Sequence, residues 1–398
     1  VVISDAEGSY VHLISLADGS IRRVSDEPVR GGRGLGGGCF DWLPDATGLV
    51  VVTKTNGLQR MSLEGELRPV LALDGRSISG PAASPDGSTV AVVIDQAEIM
   101  MVDLTSGVAR RVDDGSYEFV LDPAWSQGVP VWQAWNSPNM PWDHSVVMST
   151  NGVVSDNNCQ HQQPRADASG NQLAWLDDSS GWLNVATQSA ARANEAFEHG
   201  TPTWGDGQRS WCFNSDGSHI AFVRNEDGFG RLCTLEMSTG TIREHAKAVH
   251  GQLSWVGNTL VALRTGGKTP TQVVAYDTTQ IENASWPRRT LLIGARFDWT
   301  DHPALVEPQL MRVQSRDGID LHARLYSATQ SNGRLICMIH GGPTDQWQVT
   351  FMPRVTYWID RGYDVLIPDH RGSTGHGREF TQAMQGRWGD LDVDDVID

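Results

Sequence analysis

The chain has 398 residues and a formal net charge of −17, too long for one ordinary core, so two domains are expected. The acidic balance excludes nucleic acid or an anionic membrane surface as main partner, since both need a basic face, and no apolar run approaches the ~20 residues that cross a bilayer. Five cysteines (Cys39, Cys159, Cys212, Cys233 and Cys337) are scattered without CxxC spacing. Neither a disulfide framework nor a zinc site is expected, and free thiols suit a reducing, cytoplasmic compartment. The sequence opens at Val1 inside a strand-like pattern and closes at Asp398 inside a helical one. It therefore reads as an excerpt of a longer polypeptide, and a leader segment stays open.

Along the first three quarters a turn signature recurs: LPDATG ending at Gly48, SPDGS around Gly87, WSQG ending at Gly128, DASGN around Gly170, NSDGS around Gly217 and WVGN around Gly257. That spacing is the size of a four-stranded propeller blade. Asp or Asn before Gly supplies the local hydrogen bond and the positive φ of a tight hairpin turn. Short apolar strands follow the turns, at 49–53, 89–94, 172–176, 219–223 and 259–263. A second strand leads into a second turn at Gly19, Gly107 and Gly240. One such unit cannot bury its sheet faces alone, so the units stack. The pattern predicts an all-β propeller over residues 1–300 with seven blades, the first partial.

From residue 301 the rhythm changes. Residues 309–315 and 319–326 around Arg316-Asp317-Gly318 predict a hairpin, and 334–339 a strand buried on both faces. Phe351, Met352, Val355, Trp358 and Ile359 fall on one helix face, with Pro353 in its first turn and Gly362 placed to end it. Residues 364–368 form another buried strand. Strand, helix, strand is a crossover, which makes the sheet parallel here. Asp392 is expected to cap a last helix, with Asp394 and Asp395 in its first turn. The acids at 390, 392, 394 and 395 read as capping and solvated groups rather than a metal site.

Three motifs carry chemistry: HGGP at 340–343, RGSTGHG at 371–377 and GRWGDLDVDD at 386–395. In this order and spacing, behind a propeller, they resemble the prolyl oligopeptidase family of serine peptidases, its acylaminoacyl- and dipeptidyl-peptidase branch in particular. The resemblance implies that 301–398 is the N-terminal part of an α/β-hydrolase domain. It also implies hydrolysis of short peptides by acyl transfer, without a cofactor. The sequence holds no GxSxG, so no triad residue is expected among these residues, and by themselves they should be inert. Ser373 lies in a glycine-rich loop but not in an elbow.

The resemblance points to the Gly342 N–H, with Gly341 beside it, as half of an oxyanion hole; Pro343 has no N–H to give. His340, Pro343 and Arg371 are the substrate-pocket candidates. Arg371 could grip a substrate carboxylate or carbonyl, or form an ion pair that shapes its loop. The family often has an aromatic where His376 stands. Glu195 and Glu198 could bind a substrate amino terminus, as acids do in the dipeptidyl-peptidase branch. The stretches at 135–143 and 181–184 look like those of a bacterial subgroup and read as aromatic packing. A catalytically silent propeller that binds protein partners, or an esterase of the same fold, are the alternatives; a homo-oligomer stays open.

Overall fold

The computed structural model describes residues 1–398 except 31–36, 56, 189–191, 296, 300 and 343. Among the described residues, seven small sheets follow one another in chain order, the first and fifth with three strands, and a mixed four-stranded sheet comes last. The chain divides into two compact units. One holds Val1–Ser179, Val185–Arg192 and Thr203–Ile220; the other holds Ser180–Asn184, Ala193–Pro202 and Ala221–Asp398.

In the first unit the repeats become antiparallel meanders. The second sheet runs through Phe40–Trp42, Gly48–Thr53, Gly57–Ser62 and Leu67–Leu71, and the third through Ile78–Ala83, Thr89–Ile94, Glu98–Asp103 and Ala109–Arg111. The turn glycines Gly87, Gly128 and Gly170 hold φ near 70–75°, the left-handed region that glycine adopts without cost. The first turn differs from expectation: Ala46 takes the left-handed position. Gly48 instead opens a strand where a Cβ would lie 2.3 Å from the Met61 carbonyl oxygen. Side chains from adjacent sheets interlock: Val50, Val52 and Leu58 pack with Val90, Val92, Ile94 and Val102 in one buried cluster. Burying each such side chain stabilises the fold by about 1.5–3 kcal/mol.

A second repeat escapes a reading based on turns. The opening strands Ile78–Ala83, Phe119–Ser126 and His161–Ala166 each slip register in the middle, between Ser79 and Ala82, Leu121 and Ala124, and Gln162 and Arg165. At each slip a left-handed residue (Gly80, Asp122, Gln163) precedes a proline (Pro81, Pro123, Pro164). A bulge tolerates proline because its missing N–H breaks no ladder bond. The loop at 203–210 is stitched to these bulges. Asp206 accepts from the Ser79 hydroxyl (2.6 Å) and the Asp122 N–H (2.8 Å). Gly207 N–H donates to Asp122 Oδ1 (3.1 Å), and Ser210 donates twice to Gln163 Oε1.

In the second unit the mixed sheet has the order Gln309–Gln314, Asp320–Tyr326, Asp364–Asp369, Leu335–Cys337. The first pair is the expected hairpin, and Leu335–Cys337 runs parallel to Asp364–Asp369. Helix Pro353–Ile359 starts with proline in its first turn. It buries Val355 and Ile359 against Tyr326, Val365 and Ile367. The strand at 335–337 departs from expectation. It is the sheet edge, its burial is low, and Leu335 is 54% and Ile339 49% exposed, because among the described residues no strand pairs with its outer side. The last helix, Leu391–Ile397, has Asp390 rather than Asp392 at its N-cap, with no side-chain cap bond. Asp392 instead reaches back to the Gly389 N–H at 2.8 Å.

Candidate active site

Two loops leave the carboxyl ends of the parallel strands, the place where open α/β sheets bind ligands. One, after Leu335–Cys337, carries His340 to Gln346; the other, after Asp364–Asp369, carries His370 to Gly377. His340 ties them together. Its ring stacks on His370 (centroids 4.7 Å apart), and its Nε2 lies 2.9 Å from Ser373 Oγ. The Ser373 hydroxyl donates to the His370 carbonyl at 2.6 Å, so His340 Nε2 donates to Ser373. Burial, then the neighbouring His370, pushes His340 down to about 4. It is a neutral, structural imidazole at pH 7.

Gly341 and Gly342 are exposed, and among the described residues neither N–H meets an acceptor. Gly342 has φ +141°, and a Cβ there would lie 2.9 Å from the Thr344 nitrogen, so only glycine fits. At Gly341 a Cβ would meet nothing within 4 Å. Pro343, the third member of the motif, lies outside the described residues. Close by, the Asp345 carboxyl is raised by burial and accepts from its neighbour Gln346 N–H.

Arg371 has its guanidinium taken up by carboxylates. Nε and Nη2 reach Asp395, and Nη1 reaches Asp317 at 2.6 Å. This is an ion pair that shapes the loop, and it leaves no prong toward a substrate. Asp395, expected to be solvated, is buried because it serves this pair.

The hub of the site was not visible in the motifs. Asp369 ends its strand fully buried and takes two bonds from Arg324. It takes further contacts from His376 Nε2 and Gln346 Nε2, each at 2.8 Å. Burial alone would raise this carboxyl, but Arg324 and His376 more than offset it and hold it well below the usual range. Gln346 Oε1 in turn accepts from Asn225 Nδ2 at 2.7 Å. Gly375, at φ +92°, leaves room for Gln346, which a Cβ would strike at 2.6 Å. His376 thus has a polar anchor that an aromatic could not supply. The signal was the acid of PDHRG at the end of an apolar strand, but its partners lie far off in sequence.

Glu195 and Glu198 have protein partners. Glu195 meets Arg224 Nη1 at 3.1 Å and His199 Nε2 at 3.2 Å. Burial works against its charge, yet His199 and Arg224 hold it below the usual range. Glu198 accepts the Gly377 N–H at 3.2 Å. The 181–184 stretch supports the same loop: Gly181 O accepts from Arg378 N–H at 2.8 Å, and the Trp182 ring would lie 3.3 Å from a Gly377 Cβ. In the other unit, Trp135 of the 135–143 stretch stacks on Phe119, and Trp142 packs tilted against Trp204 with centroids 4.4 Å apart, which is aromatic packing.

Residues 349–398 match the model of the prolyl oligopeptidase family. Dipeptidyl-peptidase 5 of Arthroderma otae is 24% identical over 335 residues, 79% of this chain and 42% of that protein. The uncharacterized peptidase YuxL of Bacillus subtilis is 31% identical over 110 residues, 27% of this chain and 17% of that protein. Among solved structures, a puromycin hydrolase superposes with a TM-score of 0.82 at 22% identity, covering 99% of this chain and 68% of that one. A Mycobacterium tuberculosis puromycin-hydrolyzing peptidase does so with a TM-score of 0.82 at 23% identity, covering 98% and 67%. These likenesses establish the fold as a β-propeller followed by part of an α/β-hydrolase domain. The chain spans less than half the length of the first curated relatives it matches. Through residues 349–398 the chain is therefore similar to the prolyl oligopeptidase family, and as a whole it shares the fold of these solved structures.

Proposed function

We propose that the polypeptide carrying this chain is a serine peptidase that cleaves short peptides by acyl transfer, with the Gly342 N–H as one of two oxyanion donors. One observation carries the reading: an exposed N–H without a described acceptor sits at the end of a parallel strand, in a backbone conformation only glycine adopts. A preorganised donor aimed at developing charge lowers the barrier without reorganising during the reaction. The buried network of His340, Ser373, Asp369 and Gln346 holds that loop and the one facing it. The nucleophile, its acid and its base are assigned to residues outside 1–398, since none of these serines sits in a GxSxG.

Release of dipeptides from an amino terminus is the finer reading, supported by the dipeptidyl-peptidase relatives. Glu195 is committed to Arg224 and His199, so an amine-binding acid is assigned elsewhere. The test is hydrolysis of chromogenic dipeptide and blocked-peptide substrates by the complete polypeptide. Turnover of free-amino dipeptides alone supports dipeptide release. Turnover of blocked peptides supports an acylaminoacyl or endopeptidase action. Absence of peptide turnover, with or without ester hydrolysis, contradicts the peptidase reading.

A further inference from the structure

In the second unit, Asp227, His322 and His376 come from three separate stretches of sequence and meet around one small space. Asp227 and Gly228 form the two-residue turn between His219–Glu226 and Phe229–Glu236, both with positive φ (52° and 92°), the geometry of a tight hairpin. The turn is pinned: Gly228 N–H donates to Asn225 Oδ1 at 2.8 Å, and its carbonyl accepts from Val349 N–H at 2.8 Å. His322 lies on Asp320–Tyr326, and His376 on the loop after Asp369.

The ligand atoms are all electron-rich and lie within 4.8 Å of one another. Asp227 Oδ1 is 3.7 Å from His322 Nδ1 and 4.0 Å from His376 Nδ1. Both separations are too long for a hydrogen bond. The tautomer of His376 follows from its other nitrogen. Asp369 is a buried carboxylate already held by Arg324, and His376 Nε2–H donates to it at 2.8 Å, which leaves Nδ1 as a lone pair facing Asp227. The His322 imidazole makes no hydrogen bond among the described residues. Arg312 Nη2 approaches Asp227 Oδ2 at 3.4 Å, so Oδ1 is the oxygen that faces the histidines.

We propose that Asp227, His322 and His376 bind a divalent transition-metal ion of the zinc class, bridging the hairpin turn to the mixed sheet. The donor set selects the class: two imidazoles and one carboxylate suit Zn²⁺, Co²⁺ or Ni²⁺, whereas Mg²⁺ and Ca²⁺ demand oxygen shells. Ligand bonds of about 2.0–2.2 Å put donor atoms about 3.3–3.5 Å apart around a tetrahedral ion, so each imidazole must close on Asp227 Oδ1 by about 0.2–0.7 Å, and all three donors already lie within 4.8 Å of one another. The carboxylate behind His376 is the outer partner that metal-bound histidines carry. In the metal-free arrangement the two rings are stacked, with centroids 3.9 Å apart and planes 18° apart. Capture therefore turns the His322 ring about its Cβ–Cγ bond, a motion that breaks no hydrogen bond to a described residue. The fourth position is left for water.

The test uses residues 1–398 after chelator treatment, titrated with Zn²⁺ by calorimetry and with Co²⁺ by visible absorption. The expected result is one equivalent bound with Kd in the micromolar range, and a Co²⁺ spectrum of four-coordinate intensity. His322→Ala and Asp227→Asn should each weaken binding at least tenfold, and His144→Ala should leave it unchanged. His376 is left intact because it also anchors Asp369. Folding of each variant is followed by circular dichroism; should one fail to fold, the other and the wild-type stoichiometry decide. No binding below ~100 μM, the result expected if only water bridges these atoms, overturns the proposal. So does binding that survives either substitution undiminished.

Discussion

Arg371 and Asp395 form a two-pronged ion pair inside the second unit: Nε and Nη2 of the guanidinium both reach the carboxylate, and the Arg371 backbone N–H donates to it at 2.7 Å. The side chains are 8% and 0% exposed. Removing one partner of such a pair strands a buried charge, which costs about 3–5 kcal/mol. Asp395→Ala should therefore lower the unfolding free energy of the second unit by up to that amount, with Asp317 still holding Nη1. Arg371→Lys should also destabilise, because an ammonium cannot grip two oxygens in one plane. A loss below ~1 kcal/mol for Asp395→Ala would show that the pair is not the anchor of this loop.

Gly342 and Gly341 should respond differently to alanine. At Gly342 both the positive φ and the Thr344 backbone oppose a Cβ, and at Gly341 neither does. In the complete polypeptide, Gly342→Ala should lower kcat by about 10²–10³-fold with KM little changed, the signature of a lost oxyanion donor. Gly341→Ala should leave the thermal midpoint unchanged. Equal kcat values for Gly342→Ala and wild type would remove Gly342 from the reaction.

Asp206 makes the first unit sensitive to pH. Its carboxyl lines a cavity of about 440 Å³, and burial pushes it up to about 6, against the opposing hydrogen bonds from Ser79 and the Asp122 N–H. The unfolded chain has the ordinary value near 3.8, so the folded state holds the proton more tightly. The stability linked to this group is full below pH ~4 and is lost as pH rises to ~6, by up to about 3 kcal/mol, less where cavity water screens the charge. Asp206→Asn keeps an acceptor for Asp122 and should flatten this slope. The check is the difference in unfolding free energy between wild type and variant across pH 4–7; a constant difference would contradict it.

His340 acts with the opposite sign. Its value is pushed from 6.5 to about 4, so below pH ~6.5 the unfolded chain takes up a proton that the folded one refuses. Stability is present above ~6.5 and is lost as pH falls toward 4, by roughly 3 kcal/mol at most. His340→Gln should retain more of its neutral-pH stability at pH 4.5 than wild type does, measured as the change in urea midpoint between the two pH values. A parallel decline in both would rule out His340 as a source of acid lability.

What the sequence made legible was local. The Asp-Gly and Ser-Gly turns and the apolar strands between them are short-range signals, and strand Thr89–Ile94 emerges with its expected bounds. The glycine of the HGGP loop was legible at Gly342, whose φ of +141° only glycine adopts. The bulges at Gly80, Asp122 and Gln163 were missed because a proline in a strand was not weighed as a register slip. The exposed edge strand at 335–337 was misjudged because hydrophobicity reports what a strand could bury, not which neighbours it has. Asp395 looked like a helix-dipole acid because nothing local marks Arg371, 24 residues earlier, as its partner. The Asp369 hub and the Asp227, His322 and His376 cluster depend on contacts between distant stretches, which no periodicity encodes.

The central proposal is that this chain frames a serine peptidase site whose nucleophile lies outside it. The most direct measurement is labelling of the native polypeptide with a fluorophosphonate, followed by mass-spectrometric mapping of the modified residue. The account predicts one labelled serine, within a GxSxG and outside residues 1–398, and no labelling of residues 1–398 alone. Labelling of Ser373 or any other serine within 1–398, or a native polypeptide that takes no label, would contradict it.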